Sequence, residues 1–238
     1  MTALLIAAVV FLASLLQSLS GFGFAIVIMP VLTLMLGLKT AAPLVALIAL
    51  TVYVVNVTRF RRAIRAGEVL RLGLASAMGV PVGIWALSSV EEAVVKDVLG
   101  LLLLLFAAYG LLRPTTSWVP SPRWVYPADF FAGCLGGAYN TPGPPAIVYG
   151  TLRQWPRDEF RAVMQSLFLV NGALVVTSHL VTRHVTMPVL TYYLCALPAL
   201  ALGILLASRL DSRVDHGRFR TLVMVTILLL GSSLLLSS

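Results

Sequence analysis

Charge is what this sequence most lacks. Of its 238 residues only 11% are charged, and Asp and Glu together number 9. A soluble domain usually carries about 25% charged residues. There is too little polar surface here to clothe a water-soluble globule of this size. Cysteine is almost missing too. Cys134 and Cys195 both lie inside apolar runs, with neither Cys-x-x-Cys nor histidine spacing around them. No disulfide framework, zinc site or other cofactor is implied. The chain has no Gly-x-x-x-x-Gly-Lys-Ser/Thr motif, so it is not expected to hydrolyse ATP itself. Residues 2–16 are apolar with no basic residue before them and no convincing small-x-small site, so a cleaved signal peptide is not expected. Alternating segments of about ten residues, the mark of a membrane barrel, are absent as well.

What is present is apolar length. Hydrophobic residues make up 59% of the chain, and the mean hydropathy is +0.97. Runs of about 20 apolar residues read as helices that cross a hydrocarbon core of about 30 Å. The net charge of +8 would suggest nucleic acid in a soluble protein. Here the arginines sit in short loops between apolar runs, which is the pattern of the positive-inside rule. Nucleic acid is therefore excluded as a partner, and the expected location is the cell (inner) membrane, crossed several times.

The runs fall into two similar halves. An interrupted apolar block covers residues 3–36, broken by Ser18, Ser20, Gly21 and Gly23. Its second part, 24–36, would be about 20 Å long as helix, too short to span alone. Three ordinary spans follow at 40–57, 70–88 and 94–112. A proline-bearing linker then divides the chain, giving a first repeat of 1–112, a linker of 113–124 and a second repeat of 125–238. The second repeat opens with another interrupted block, 125–152, broken at Tyr139-Asn140-Thr141-Pro142-Gly143-Pro144-Pro145. Spans at 160–181, 187–206 and 219–236 complete it. At an offset of 115 residues, Gly21 falls on Gly136, Pro30 on Pro145 and Asn56 on Asn171. Internal repeats of this kind are common in secondary transporters.

Two topologies compete. If each interrupted block crosses once, there are eight spans and parallel repeats. If each is a re-entrant hairpin, there are six full spans and inverted repeats. With the Arg59–Arg71 loop set in the cytoplasm, the eight-span arrangement splits the 17 Lys and Arg residues 8 to 9. The hairpin arrangement leaves only Lys39, Lys96 and Arg183 of the 17 outside. The positive-inside rule favours the hairpins. The expected fold class is therefore an all-α polytopic membrane protein of two inverted repeats, each a re-entrant block plus three transmembrane helices. One hairpin enters from outside with its tip at Gly21-Phe22-Gly23, the other from the cytoplasm with its tip at residues 140–144. Broken backbone at such depth is tolerated only where protein buries it or it lines a wet cavity.

The breaks thus mark the expected substrate site. A helix starting after each break offers free backbone N–H groups and a positive dipole end, which hold an anion without a charged side chain. Ser20 can cap the first such helix, and Asn140 or Thr141 the second. Gly21, Phe22, Gly23 and Phe24, with Gly143 and Pro144, complete the two tips. Turn formation and helix packing explain a lone Gly-x-Gly better, but two breaks at matching places in a repeat turn the balance to function. Gln17, Asn56 and Asn171 are amides inside apolar spans, fit either to bind substrate or to hydrogen-bond between helices. Gln165 is a further amide of this kind. Asp129 is a candidate for proton coupling, although its place near the interface fits a solvated or capping role better. His179 reads as interfacial. Arg161, at the mouth of a helix, fits anion steering or a topology anchor.

The glycine-broken first block, Asn140-Thr141-Pro142-Gly143-Pro144-Pro145 and the following Asp158-Glu159-Phe160-Arg161-Ala162 resemble the TauE/SafE sulfite-exporter family, also described as toluene sulfonate uptake permeases. The likeness covers nearly the whole chain. This sequence departs from the family in reading Asn-Thr-Pro-Gly-Pro-Pro where a more Gly-rich stretch is usual. The resemblance implies a secondary transporter, an exporter, of a small sulfur anion such as sulfite or an organosulfonate like sulfoacetate. The expected partners are that anion and the lipid bilayer, and the chain is compatible with a homodimer. Two rival readings remain at this point: an anion channel, and an intramembrane enzyme using Ser20 and His179 as nucleophile and base.

Overall fold

The computed structural model describes residues 2–64, 66–112, 120–211 and 216–236. Arg65, Arg113, Arg213 and residues 113–119 of the expected linker lie outside them. The described residues form ten α-helices and two short 3₁₀ turns, with no strand among them. In the first half these are α1 (Thr2–Ser20), α2 (Phe24–Leu36), α3 (Leu38–Phe60), α4 (Ala66–Ser89) and α5 (Glu92–Leu112). The second half repeats the order with α6 (Val125–Tyr139), α7 (Gly143–Leu152), α8 (Arg157–Val181), α9 (Met187–Leu210) and α10 (His216–Leu236). Both expected breaks are real interruptions of helix, at residues 21–23 and 140–142.

Among the described residues, four helical segments are long and apolar enough to cross a membrane: Leu38–Ala63, Ala66–Ala86, Asp158–Val181 and Met187–Leu210. Their burial differs in pairs. The apolar windows of α3 and α8 are 61% and 67% buried, those of α4 and α9 only 39% and 28%. So α3 and α8 stand at the centre, with α4 and α9 outside them. Large apolar side chains such as Leu74, Met78 and Trp85 on α4 and Leu194, Leu202 and Leu205 on α9 face outward. In water such a surface would be an aggregation hazard, and in a bilayer it meets lipid tails at no cost.

Helix pairing follows the division into halves. α1 packs on α9 and α4 on α6; α3 packs on α9 and α8 on α4; α2 packs on α3 and α7 on α8. Exchanging the halves turns each of these pairs into its mate. The remaining large contacts, α3 with α8 and α5 with α10, pair an element with its own counterpart. Both self-pairs run antiparallel. Tyr53 of α3 meets Phe168 of α8, while Arg59 and Arg161 share Asp211. Gly100 near the start of α5 lies against Gly231 and Leu235 of α10, and Gly110 near its end lies against Met224.

The second block folds back on itself. Where α4 meets α6, an added Cβ on Gly133 would run into the Ser76 carbonyl, and one on Gly137 into that of Val80. The two helices therefore run parallel at close backbone approach, the way small residues pack helices in lipid. Along α8, Val170 faces Gly73, while residues 177–182 meet Pro81, Ile84 and Trp85, so α8 also runs parallel to α4. Between them α7 runs the other way, with Gly143 near Phe168 and Gly150 near Phe160.

Candidate functional site

The first break is held by glutamines. Gly21 and Gly23 have φ of +88° and +102°, a conformation that glycine adopts without steric cost. The Gln17 Oε1 accepts the Phe24 N–H at 2.9 Å, and the Gln165 amide donates to the Gly21 carbonyl at 2.7 Å. Gln17 thus satisfies the first free donor of α2. Ser20, expected to cap that helix, does not. The N-cap is Gly23, with no side-chain bond, and the Ser20 hydroxyl accepts the Phe22 N–H and shares its one proton between the Leu16 and Phe22 carbonyls. The reason is reach, since a serine hydroxyl one turn back finds its own helix's carbonyls first. Phe22 is core packing, edge-on to Phe106 and Phe160.

The second break differs. Asn140 ends α6 in the left-handed conformation (φ 56°), which asparagine tolerates. Its amide donates 2.8 Å to the Ala42 carbonyl of α3. Pro142 stands at the N-cap of α7 without a side-chain bond, so neither Asn140 nor Thr141 caps that helix as expected. Pro144 and Pro145 carry no N–H. The first turn of α7 therefore offers Gly143 N–H, while α2 offers Ala25 and Ile26. That is a sparser cradle than the sequence suggests.

The two breaks share one cavity. Gln17, Gly23, Phe24, Ala25 and Ile26 line it from the first, Asn140, Thr141, Pro142 and Gly143 from the second, and Tyr53 and Phe168 from the central pair α3 and α8. Its volume is about 10 Å³, room for about one water molecule. The helix starts thus face each other across a small space. Sequence reasoning missed Ala25, Ile26, Tyr53 and Phe168 in this wall. Tyr53 lies three residues before Asn56 and Phe168 three before Asn171, each on the same helix face as its amide, and that spacing is the signal for the two aromatics.

Other expected residues lie elsewhere. Pro144 lines a separate apolar groove between α5, α6 and α7. Asn56 and Asn171 lie outside the cavity lining and tie helices together through different partners. Asn56 accepts from Ser18 at 3.3 Å, and Asn171 donates to Ser76 at 2.8 Å while packing on Gly136. Asp129 is wholly buried, and neither carboxyl oxygen has a hydrogen-bond partner. That placement fits neither a solvated nor a capping role. Arg161 is not at an open mouth: it is 2% exposed, directly behind Gly21, and bonded to Asp211 and the Leu19 carbonyl. His179, near the end of α8, is buried within the protein, its Nδ1 3.3 Å from that of His184.

The enzyme reading fails on distance. Ser20 adjoins Arg161, near the start of α8, whereas His179 is near its end, about 27 Å away by helix rise. Among the described residues no cluster of His, Cys, Asp or Glu could hold a metal.

Long apolar helices, paired halves and facing helix breaks in the core define a multi-pass α-helical membrane protein. The family described as Sulfite exporter TauE/SafE matches residues 6–234, and the chain belongs to that family. Its members are transporters of the exporter type, not enzymes. Neither a curated protein nor a solved structure was found to match the chain.

Proposed function

We propose that this protein exports a small sulfur oxyanion or sulfonate, such as sulfite or sulfoacetate, across the cell membrane by alternating access. The observation that carries this is the single cavity walled by both helix breaks. An anion there meets the starts of α2 and α7, whose dipoles and free N–H groups favour negative charge. The Thr141 and Tyr53 hydroxyls add neutral donors. The cavity contains no lysine or arginine, so no tight ion pair has to break on release, as a carrier requires. Two inverted repeats with re-entrant hairpins supply the mechanics. Antiparallel self-pairs α3–α8 and α5–α10 support that reading, as does the reversed course of α7. Asp129 is the proposed proton carrier, since a buried carboxyl without a partner is costly as a lasting charge.

The test is transport by purified protein in liposomes. Labelled sulfite or sulfoacetate uptake should saturate and should be driven by unlabelled substrate inside, the counterflow of a carrier. Flux that rises linearly and shows no counterflow would identify a pore instead. Asp129→Asn should keep counterflow but lose any stimulation by an imposed proton gradient; stimulation that persists removes Asp129 from the coupling.

A further inference from the structure

Behind the first break lies a group of charges that the cavity does not use. Arg161, with a side chain 3% exposed, grips Asp211 with both ends of its guanidinium: Nη1 to Oδ2 at 3.1 Å and Nη2 to Oδ1 at 3.0 Å. Arg59 reaches the same Oδ2 from α3 at 3.1 Å. Both guanidiniums lie over the Phe60 ring, 5.2 and 5.5 Å from its centre. Arg161 also donates to the Leu19 carbonyl at the end of α1.

We propose that Arg59 and Arg161 form a second anion site, selective for three-oxygen anions of the sulfonate type, in which Asp211 is a resident ligand that the anion displaces. The donors exceed what the carboxylate can use. Arg59 Nη1 is buried and has no partner. An unmet buried donor is costly, and a purely structural ion pair has no reason to keep one. A third oxygen would take it. Two guanidinium forks match the planar faces of an oxyanion better than lysines would. Asp211 also sits at the C-cap of α9, where the helix dipole disfavours negative charge. Access is open on one side: Arg59 and Asp211 are 26% and 22% exposed. Arg61, Arg62 and Arg209 are exposed nearby in the chain and draw anions in. On the inner side Arg161 abuts Gly21, whose added Cβ would stand 2.9 Å from the Arg161 Cγ. The pair is thus a station between solvent and the first break.

This rests on the reading of the protein as an anion transporter but not on which anion it carries. Binding of methanesulfonate, sulfite, methylphosphonate and acetate would be measured by calorimetry on the purified full chain. In Asp211→Asn the resident competitor is neutralised. Affinity for at least one three-oxygen anion should rise about tenfold, the worth of one charged hydrogen bond. Adding Arg59→Gln should cancel the gain. In an otherwise unaltered chain, Arg59→Gln should reduce preference for methanesulfonate over acetate, which has no third oxygen, so the test survives if the Asp211 variant does not fold. Unchanged affinity and preference in both variants overturn the second site, whatever the unaltered protein binds. If Asp211→Asn gains methylphosphonate but no sulfur anion, the second site stands and the sulfur substrate fails.

Discussion

Single side chains divide into those that hold the site and those that face the anion. Gln17 does the first: its Oε1 carries the Phe24 N–H, and both are buried. Gln17→Ala leaves that donor unmet and should cost about 1–3 kcal/mol of stability, read as a lower melting temperature in detergent. Thr141 and Asn171 separate the roles. Thr141→Val keeps the shape but removes a donor from the cavity wall, and should weaken sulfonate binding about tenfold or more with little change in melting. Asn171→Ala breaks the tie to Ser76 outside the cavity, so its main effect should be on stability. Equal losses of affinity in the two would place Asn171 on the substrate. The matching amides were legible because an amide in an apolar run must find partners. Tyr53 was not, because an aromatic there has the same appearance as core. Arg161 was misplaced for a related reason. It is four residues from the start of α8, which looks like a mouth in one dimension. The end of α9 and the end of α1 fold over it and supply its acceptors.

At the scale of helices, the breaks are the feature sequence shows best and the caps the feature it shows worst. Glycine, proline and asparagine in an apolar run interrupt helix by their backbone chemistry alone. Which side chain then satisfies the exposed N–H depends on what packs nearby, and for α2 it is Gln17, seven residues back. The two breaks should respond differently to a methyl group. At Gly21 an alanine meets both the positive φ and the Arg161 side chain. Gly21→Ala should destabilise the protein by about 1–3 kcal/mol. At Gly143 a Cβ would meet the flexible tips of Ile147 at 3.1 Å and Ile26 at 3.4 Å, and the Phe168 ring at an ordinary 3.7 Å. Gly143→Ala should fold with little loss yet narrow the cavity, lowering substrate affinity while the melting temperature holds.

Taken whole, the described residues depart from exchange symmetry most visibly around α2. α10 packs against α2, whereas the counterpart pair α5 and α7 is parted by an apolar groove of about 430 Å³ lined by Leu105, Phe106, Pro144 and Val148 among others. If the halves exchange roles during transport, the groove closes in the other state as α2 and α10 separate. Cysteines introduced at Leu105 and Val148 should cross-link faster when substrate is turning over than in its absence; a rate indifferent to substrate would leave the groove outside the cycle. The order of elements was legible in the sequence because hydrophobic length and turn residues repeat. This asymmetry was not, because it depends on which helices pack together in three dimensions, which the repeating pattern does not encode.

The central claim is that the anion sits where the two helix breaks face each other. The most direct test is a crystal soaked or grown with selenite, a sulfite analogue whose selenium scatters anomalously. The account predicts an anomalous peak between Phe24 and Thr141, within hydrogen-bond reach of the Ala25, Ile26 or Gly143 N–H. A peak more than one helical turn from both breaks, or one at Arg59 and Arg161 alone, would contradict it.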